Sequence, residues 1–136
     1  MDRSTIKWTI AVVAIMIGIF AGIFFFVSWG SVSVSMDDDR LSVNAPMLSR
    51  HVDYDNIVSV ELRDNVDAGT RTNGFGGMNV SSGRFRNDEF GNYDRACYTS
   101  VRTYIVVTPA DGRVLVFNQN SIDRTVEIYN ELLTRI

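Results

Sequence analysis

Lysine is almost missing from this chain of 136 residues, where Lys7 is the only one. Histidine and cysteine occur once each, as His51 and Cys97, and proline only as Pro46 and Pro109. A single cysteine forbids an internal disulfide, so a globular part must be held by its apolar core. With no lysine after position 7, no glycine-rich loop can end in the Lys-Ser/Thr pair of a phosphate loop. One histidine and one cysteine leave little for acid–base or nucleophilic chemistry, and no catalytic residue, metal ligand or cofactor is assigned. From Gly30 onward 11 arginines stand against 15 acidic residues, a net charge of −4, which excludes a surface built for nucleic acid.

Charge is absent altogether from Trp8 to Trp29, WTIAVVAIMIGIFAGIFFFVSW. As a helix this run covers about 33 Å, enough for a hydrocarbon core of about 30 Å. Trp8 and Trp29 mark its ends, where amphipathic rings favour the membrane–water boundary. The expected organisation is a cytoplasmic tail over 1–7, a transmembrane helix over 8–29 and one domain over 30–136. A cleaved signal peptide is the competing reading, but the run is longer than such peptides use and lacks an Ala-x-Ala site. Arg3 and Lys7 hold the N-terminus on the cytoplasmic side by the positive-inside rule, which puts the domain outside as a single-pass membrane protein. Ala14, Gly18 and Gly22 recur at spacing four, a small-residue stripe through which two copies can pack as a homodimer.

After the helix the period falls to two. SVSVSM sets Val32, Val34 and Met36 on one face, and LSVN adds Leu41 and Val43 after the Asp37–Asp39 turn. IVSVEL places Val58, Val60 and Leu62 together, with the DYDN turn before it. TYIVVT and RVLVFN form a hairpin about PADG. Residues 63–82 read as a long loop or irregular hairpin, with positive φ expected at Gly69, Gly74, Gly76 and Gly77. The tail carries Ile122, Val126, Tyr129, Leu132, Leu133 and Ile136 on one helical stripe, with Asn120 as N-cap. About seven antiparallel strands followed by an amphipathic helix predict a mainly β domain, a barrel or sandwich closed by that helix.

The words SGRFRNDEFG at 82–91, YIVVTPADGRVLVFN at 104–118 and the closing SIDRTVEIYNELL resemble the bacterial pleckstrin-homology-like domains. DYDNIVSVEL followed by GTRTNGFGG is similar to that family as well. The resemblance implies two roughly orthogonal sheets forming a partly open barrel, capped by the C-terminal helix and tethered by membrane helices. It implies no catalytic motif. Lipid-binding eukaryotic members use Lys/Arg-rich loops near the first hairpin, whereas the first turn here is Asp37-Asp38-Asp39.

The expected function is therefore a membrane-tethered, non-enzymatic interaction module for another membrane or envelope protein. Phe75, Arg84, Arg86, Phe90 and Tyr93 are the expected contacts, because aromatic and Arg groups in a glycine-rich segment suit recognition. An alternative is a sensor of a small anionic or lipid ligand at Arg71, Arg84, Arg86, Arg95 and Arg102. Asp88, Glu89 and Asp94 stand among these arginines as their local ion-pair partners. A third reading, a hydrolase or metal enzyme, requires His51 to meet Cys97, or His51, Asp53 and Asp55 to share one face.

Overall fold

The structure is a computed structural model that describes residues 2–28 and 30–136, without the side chains of 26–28. Helix α1 runs over Arg3–Ser28, so it begins five residues before the apolar run. It is long and apolar enough to cross a membrane, and no residue of its most apolar window is buried. Trp8 is exposed on it, and the expected boundary role of Trp29 lies outside the described residues.

The domain begins with β1 (Ser33–Met36), β2 (Arg40–Ala45) and β3 (Leu48–Asp53), an antiparallel sheet ordered β1-β2-β3. Pro46 and Met47 make the β2–β3 turn between the paired residues Ala45 and Leu48, with Met47 at φ 59°. A 3-10 turn over Tyr54–Asn56 leads to β4 (Ile57–Arg63), β5 (Thr70–Gly76), β6 (Val80–Asn87), β7 (Gly91–Tyr98), β8 (Tyr104–Pro109) and β9 (Leu115–Phe117). These form a second sheet ordered β4-β8-β9-β7-β6-β5. Helix α2 (Ile122–Leu133) closes the chain.

The mainly β class with a terminal helix is as expected, but the described residues hold nine strands rather than about seven. The two that the pattern concealed, β3 and β5, are both sheet edges with largely exposed, polar side chains, so neither carries a clear apolar alternation. One pairing also departs from an all-antiparallel barrel: β7 and β9 run parallel, Asp94 opposite Leu115.

Two apolar clusters hold the domain. Leu41, Val43, Val52, Ala96, Ile105, Val107, Leu115 and Phe117 pack together with Ile128 and Leu132 of α2. Alternate residues of the same strands, Phe85, Tyr93, Cys97, Tyr104, Val106 and Val116, form the second cluster under Val66, Phe90 and Val114. Strands β8 and β9 are thus buried on both faces, which explains their unbroken apolar runs. Helix α2 starts one residue later than expected: Ser121 is its N-cap and accepts a hydrogen bond from Arg124 N. Its buried face is Thr125, Ile128 and Leu132, while Ile122, Leu133 and Ile136 are exposed. Burying Ile128 and Leu132 contributes about 1.5–3 kcal/mol each.

Val58 is likewise turned out, 68% exposed, because the β4–β8 register shifts between Ile57 and Ser59. Of the two readings of residues 63–82, a long loop or an irregular hairpin, the structure has the second: β5 pairs with β6 with a register shift between Arg71 and Asn73. Of the four glycines expected at positive φ only Gly69 has it. Gly74 is needed instead for closeness, since a Cβ there would strike the Ser82 carbonyl.

The chain is fastened to the domain as soon as it leaves the helix. Asn79 Nδ2 donates to Gly30 O at 2.9 Å, and Val32 N donates to the Tyr98 hydroxyl at 3.0 Å. Gly30 lies beside Pro46, Phe75 and Val80.

Candidate functional site

A cleft of about 520 Å³ opens where β3, the edge of the small sheet, packs on β6 and β7 of the large one, beside the edge strand β5. Leu48, Ser49 and Arg50 of β3 form one wall, with Met47 from the turn before them. Asn73 of β5, Arg84 of β6 and Asp94 of β7 form the other, and Gly112 and Arg113 close it from the β8–β9 connection. Its volume lies in the range of small-molecule sites.

The register explains the grouping. Arg84 pairs with Asp94 across β6 and β7, so both side chains stand on one face of the large sheet. Arg50 reaches that face from β3: its Nη1 donates to Asp94 Oδ2 at 2.5 Å and its Nη2 donates to Arg113 O at 2.7 Å. The Asp94 side chain is only 5% exposed, and its Oδ1 has no hydrogen-bond partner. Arg113 Nε, 3.9 Å from that oxygen, attracts it without forming a hydrogen bond. Arg84 is exposed and forms no ion pair within 4 Å among the described residues. Three guanidinium groups therefore line a cleft that holds one carboxylate, an excess of two positive charges in a protein that is acidic overall.

Of the five contacts expected from the sequence, only Arg84 lines this cleft. Tyr93 is fully buried, its hydroxyl donating to Ala68 O at 2.7 Å, and Phe75 is buried in β5. Both are packing residues, unavailable to a surface partner. Phe90 is half-buried, edge-on to Tyr93 at 5.4 Å and 5.8 Å from the Arg63 guanidinium. Arg86 is exposed on β6, outside the cleft. Arg95 is buried against the rings of Tyr104 and Phe85, at 5.1 and 5.9 Å, with Nε and Nη1 unpartnered.

Among the described residues, Asp88, Glu89 and Asp94 form no ion pair with Arg71, Arg84, Arg86, Arg95 or Arg102. Glu89 is taken by Arg63, at 2.7 Å, and Asp94 by Arg50, both from outside that set. Arg50 and Arg113 were not found from the sequence because they lie 63 residues apart and only the barrel brings them together.

The groups of the third reading are dispersed. His51 Nδ1 is 2.9 Å from Ser42 Oγ on the neighbouring strand. Asp53 ends β3, whereas Asp55 lies in the 3-10 turn, so an extended backbone does not align all three. Among the described residues no group of three or more His, Cys, Asp or Glu is arranged to hold a metal ion. Cys97 is buried and its thiol contacts Val116 O at 3.7 Å. Burial raises its pKa to about 11, outweighing the opposing charge of Arg95. On α1, Gly18 and Gly22 face open space, so the small-residue stripe is bare.

Residues 32–122 match a family model described as Bacterial PH domain, about two thirds of the chain and the whole β region. No curated protein and no solved structure matches.

Proposed function

The chain belongs to the bacterial PH domain family, and from that premise we propose a membrane-anchored, non-enzymatic module that binds another membrane or envelope protein. Helix α1 is the anchor, with Arg3 and Lys7 on the cytoplasmic side and the domain on the far side. Anchoring confines the domain to a thin layer beside the bilayer and raises its effective concentration for partners there. A second copy is one such neighbour, packed along Ala14, Gly18 and Gly22.

The observation that carries this reading is the seam. Both β3 and β5 are free edges, and among the described residues no backbone hydrogen bond joins them across it. An added strand finds unpaired N–H and C=O groups there, and the arginines between supply charge for orientation. A photo-crosslinking residue at the exposed Arg71 position of β5, introduced into the full-length protein in its native membrane, tests it. The expected result is one dominant neighbour that a probe at Asp123 on α2 does not capture. Equal or empty capture at the two positions removes the reading.

A second reading, a binder of a small anionic or lipid ligand, draws on the same cleft, because Arg84 has no carboxylate partner. Thermal-shift screening of the full-length protein with anionic lipids, nucleotides and peptidoglycan fragments separates it from the first. An enzymatic role is not part of the proposal, since the buried Cys97 thiol stays protonated at neutral pH.

A further inference from the structure

Resting on the reading of the seam as a docking edge, we propose that the β3–β5 cleft recognises the free C-terminal carboxylate of an extended peptide. Two independent features of the cleft point to this chemistry. The first is unspent positive charge: Arg50 is occupied by Asp94 Oδ2 and the Arg113 carbonyl, but among the described residues the guanidinium groups of Arg84 and Arg113 are not hydrogen-bonded to any carboxylate. Planar guanidinium forks fit the two oxygens of a carboxylate.

The second is the buried acceptor beside them. Asp94 lines the cleft and keeps Oδ1 buried without a donor, and a buried oxygen left in that state costs about 1–3 kcal/mol. An occupant with an N–H or O–H next to its negative charge supplies that missing donor once the carboxylate turns toward it. A peptide terminus does so, because the last amide N–H and the carboxylate sit on the same Cα. A phosphate monoester brings up to two negative charges toward Asp94, and its dianion, which prevails at neutral pH, has no proton to donate.

The walls supply the remainder. An extended peptide entering along β3 or β5 meets unpaired backbone groups at either edge, which a headgroup or free anion has no use for. Met47 and Leu48 line the same cleft, so the terminal side chain that fits best is apolar, valine or leucine. Asn73 of β5 stands ready for the preceding peptide group. The site thus reads three things together: a terminus, its direction, and an apolar last residue.

The test uses full-length protein, immobilised in detergent micelles, and two pools of short randomised peptides ending in valine. One pool has free carboxylates and the other C-terminal amides. The expected result is capture of the free-acid pool at about 10-fold over the amide pool, with a further loss of about 10-fold in Arg84→Gln and in Arg113→Gln. Both side chains are at least partly exposed, so these variants keep the melting behaviour of the parent. Arg124→Gln, on α2, leaves capture unchanged. Equal capture of the two pools, no capture of either, or displacement of the peptides by excess inorganic phosphate or glycerol phosphate each overturns the proposal. If β5 still crosslinks to one neighbour while the two pools bind alike, the docking edge stands and only its carboxylate specificity falls.

Discussion

Arg50 and Asp94, 44 residues apart, join the two sheets through a 2.5 Å charge-assisted hydrogen bond at the floor of the cleft. Removing one member strands the other in a largely buried place. Asp94→Ala or Arg50→Met alone is expected to cost about 3–5 kcal/mol, whereas Arg50→Met with Asp94→Leu recovers most of that loss. Urea denaturation of the full-length protein in detergent, followed by circular dichroism, measures the cycle. Equal losses in the single and double variants contradict this account.

Cys97 gives a prediction in pH. Its unfolded thiol ionises from the ordinary 9.0, its folded thiol only near 11. The stabilisation is therefore whole below pH 9 and lost as pH rises through 11, a difference of about 2–3 kcal/mol that Cys97→Ala lacks. At pH 8 about one thiol in a thousand is ionised, so the native protein resists iodoacetamide until urea unfolds it. Rapid labelling of the native protein at that pH rules out the burial described here.

Gly83 sits at φ +121° on β6, opposite Gly74 of β5, and a Cβ there meets the Asn73 carbonyl and the Gly74 backbone. Gly83→Val is expected to lose more than about 2 kcal/mol and to detach β5 first. Amide exchange accelerating over Thr70–Gly76 before the rest of the large sheet checks the order of events.

Met47 and Met78 are 66% and 67% exposed on the turns that flank Gly30. Since one residue separates α1 from Gly30, an α1 that spans the membrane as proposed would hold these side chains near the lipid headgroups. An environment-sensitive dye on Met47→Cys or Met78→Cys in liposomes should emit as if in an apolar medium, while the same dye on Asp111→Cys reports water. Buried Cys97 does not compete for the label. Dyes that all report water, in protein that floats with the vesicles, exclude contact between this rim and the bilayer.

On α1, Gly18→Ile with Gly22→Ile should weaken self-association by at least about 1 kcal/mol, because the added side chains push two helices apart. A membrane reporter assay reads the change, and an unaltered signal dismisses the helix dimer.

How much of this was legible beforehand depended on whether a local pattern carried it. The span of α1 needs only composition, and Leu41 with Val43 needs only alternation on a half-buried strand. Val58 was misplaced because one irregularity after Ile57 reverses the alternation. Thr125 escaped notice since its hydroxyl is satisfied within α2's first turn, by Ser121 O and Gln119 N, so a polar residue could be buried there. Strand β5 reads as either a loop or an irregular hairpin because glycine there marks close approach between strands rather than a turn. The cleft was the least legible part: of its charged residues only Arg84 was expected as a contact, since Arg50, Asp94 and Arg113 converge through tertiary structure alone.

The bond from Asn79 to Gly30 has a consequence for reach. A domain on a slack leash could sweep a wide arc and catch partners far above the lipid. This one is clipped to the chain two residues beyond the end of α1, so its height above the helix can vary by no more than about 7 Å. On the proposed reading a partner has to come down to that level, so the post would select neighbours by where their tails end as well as by what those tails contain.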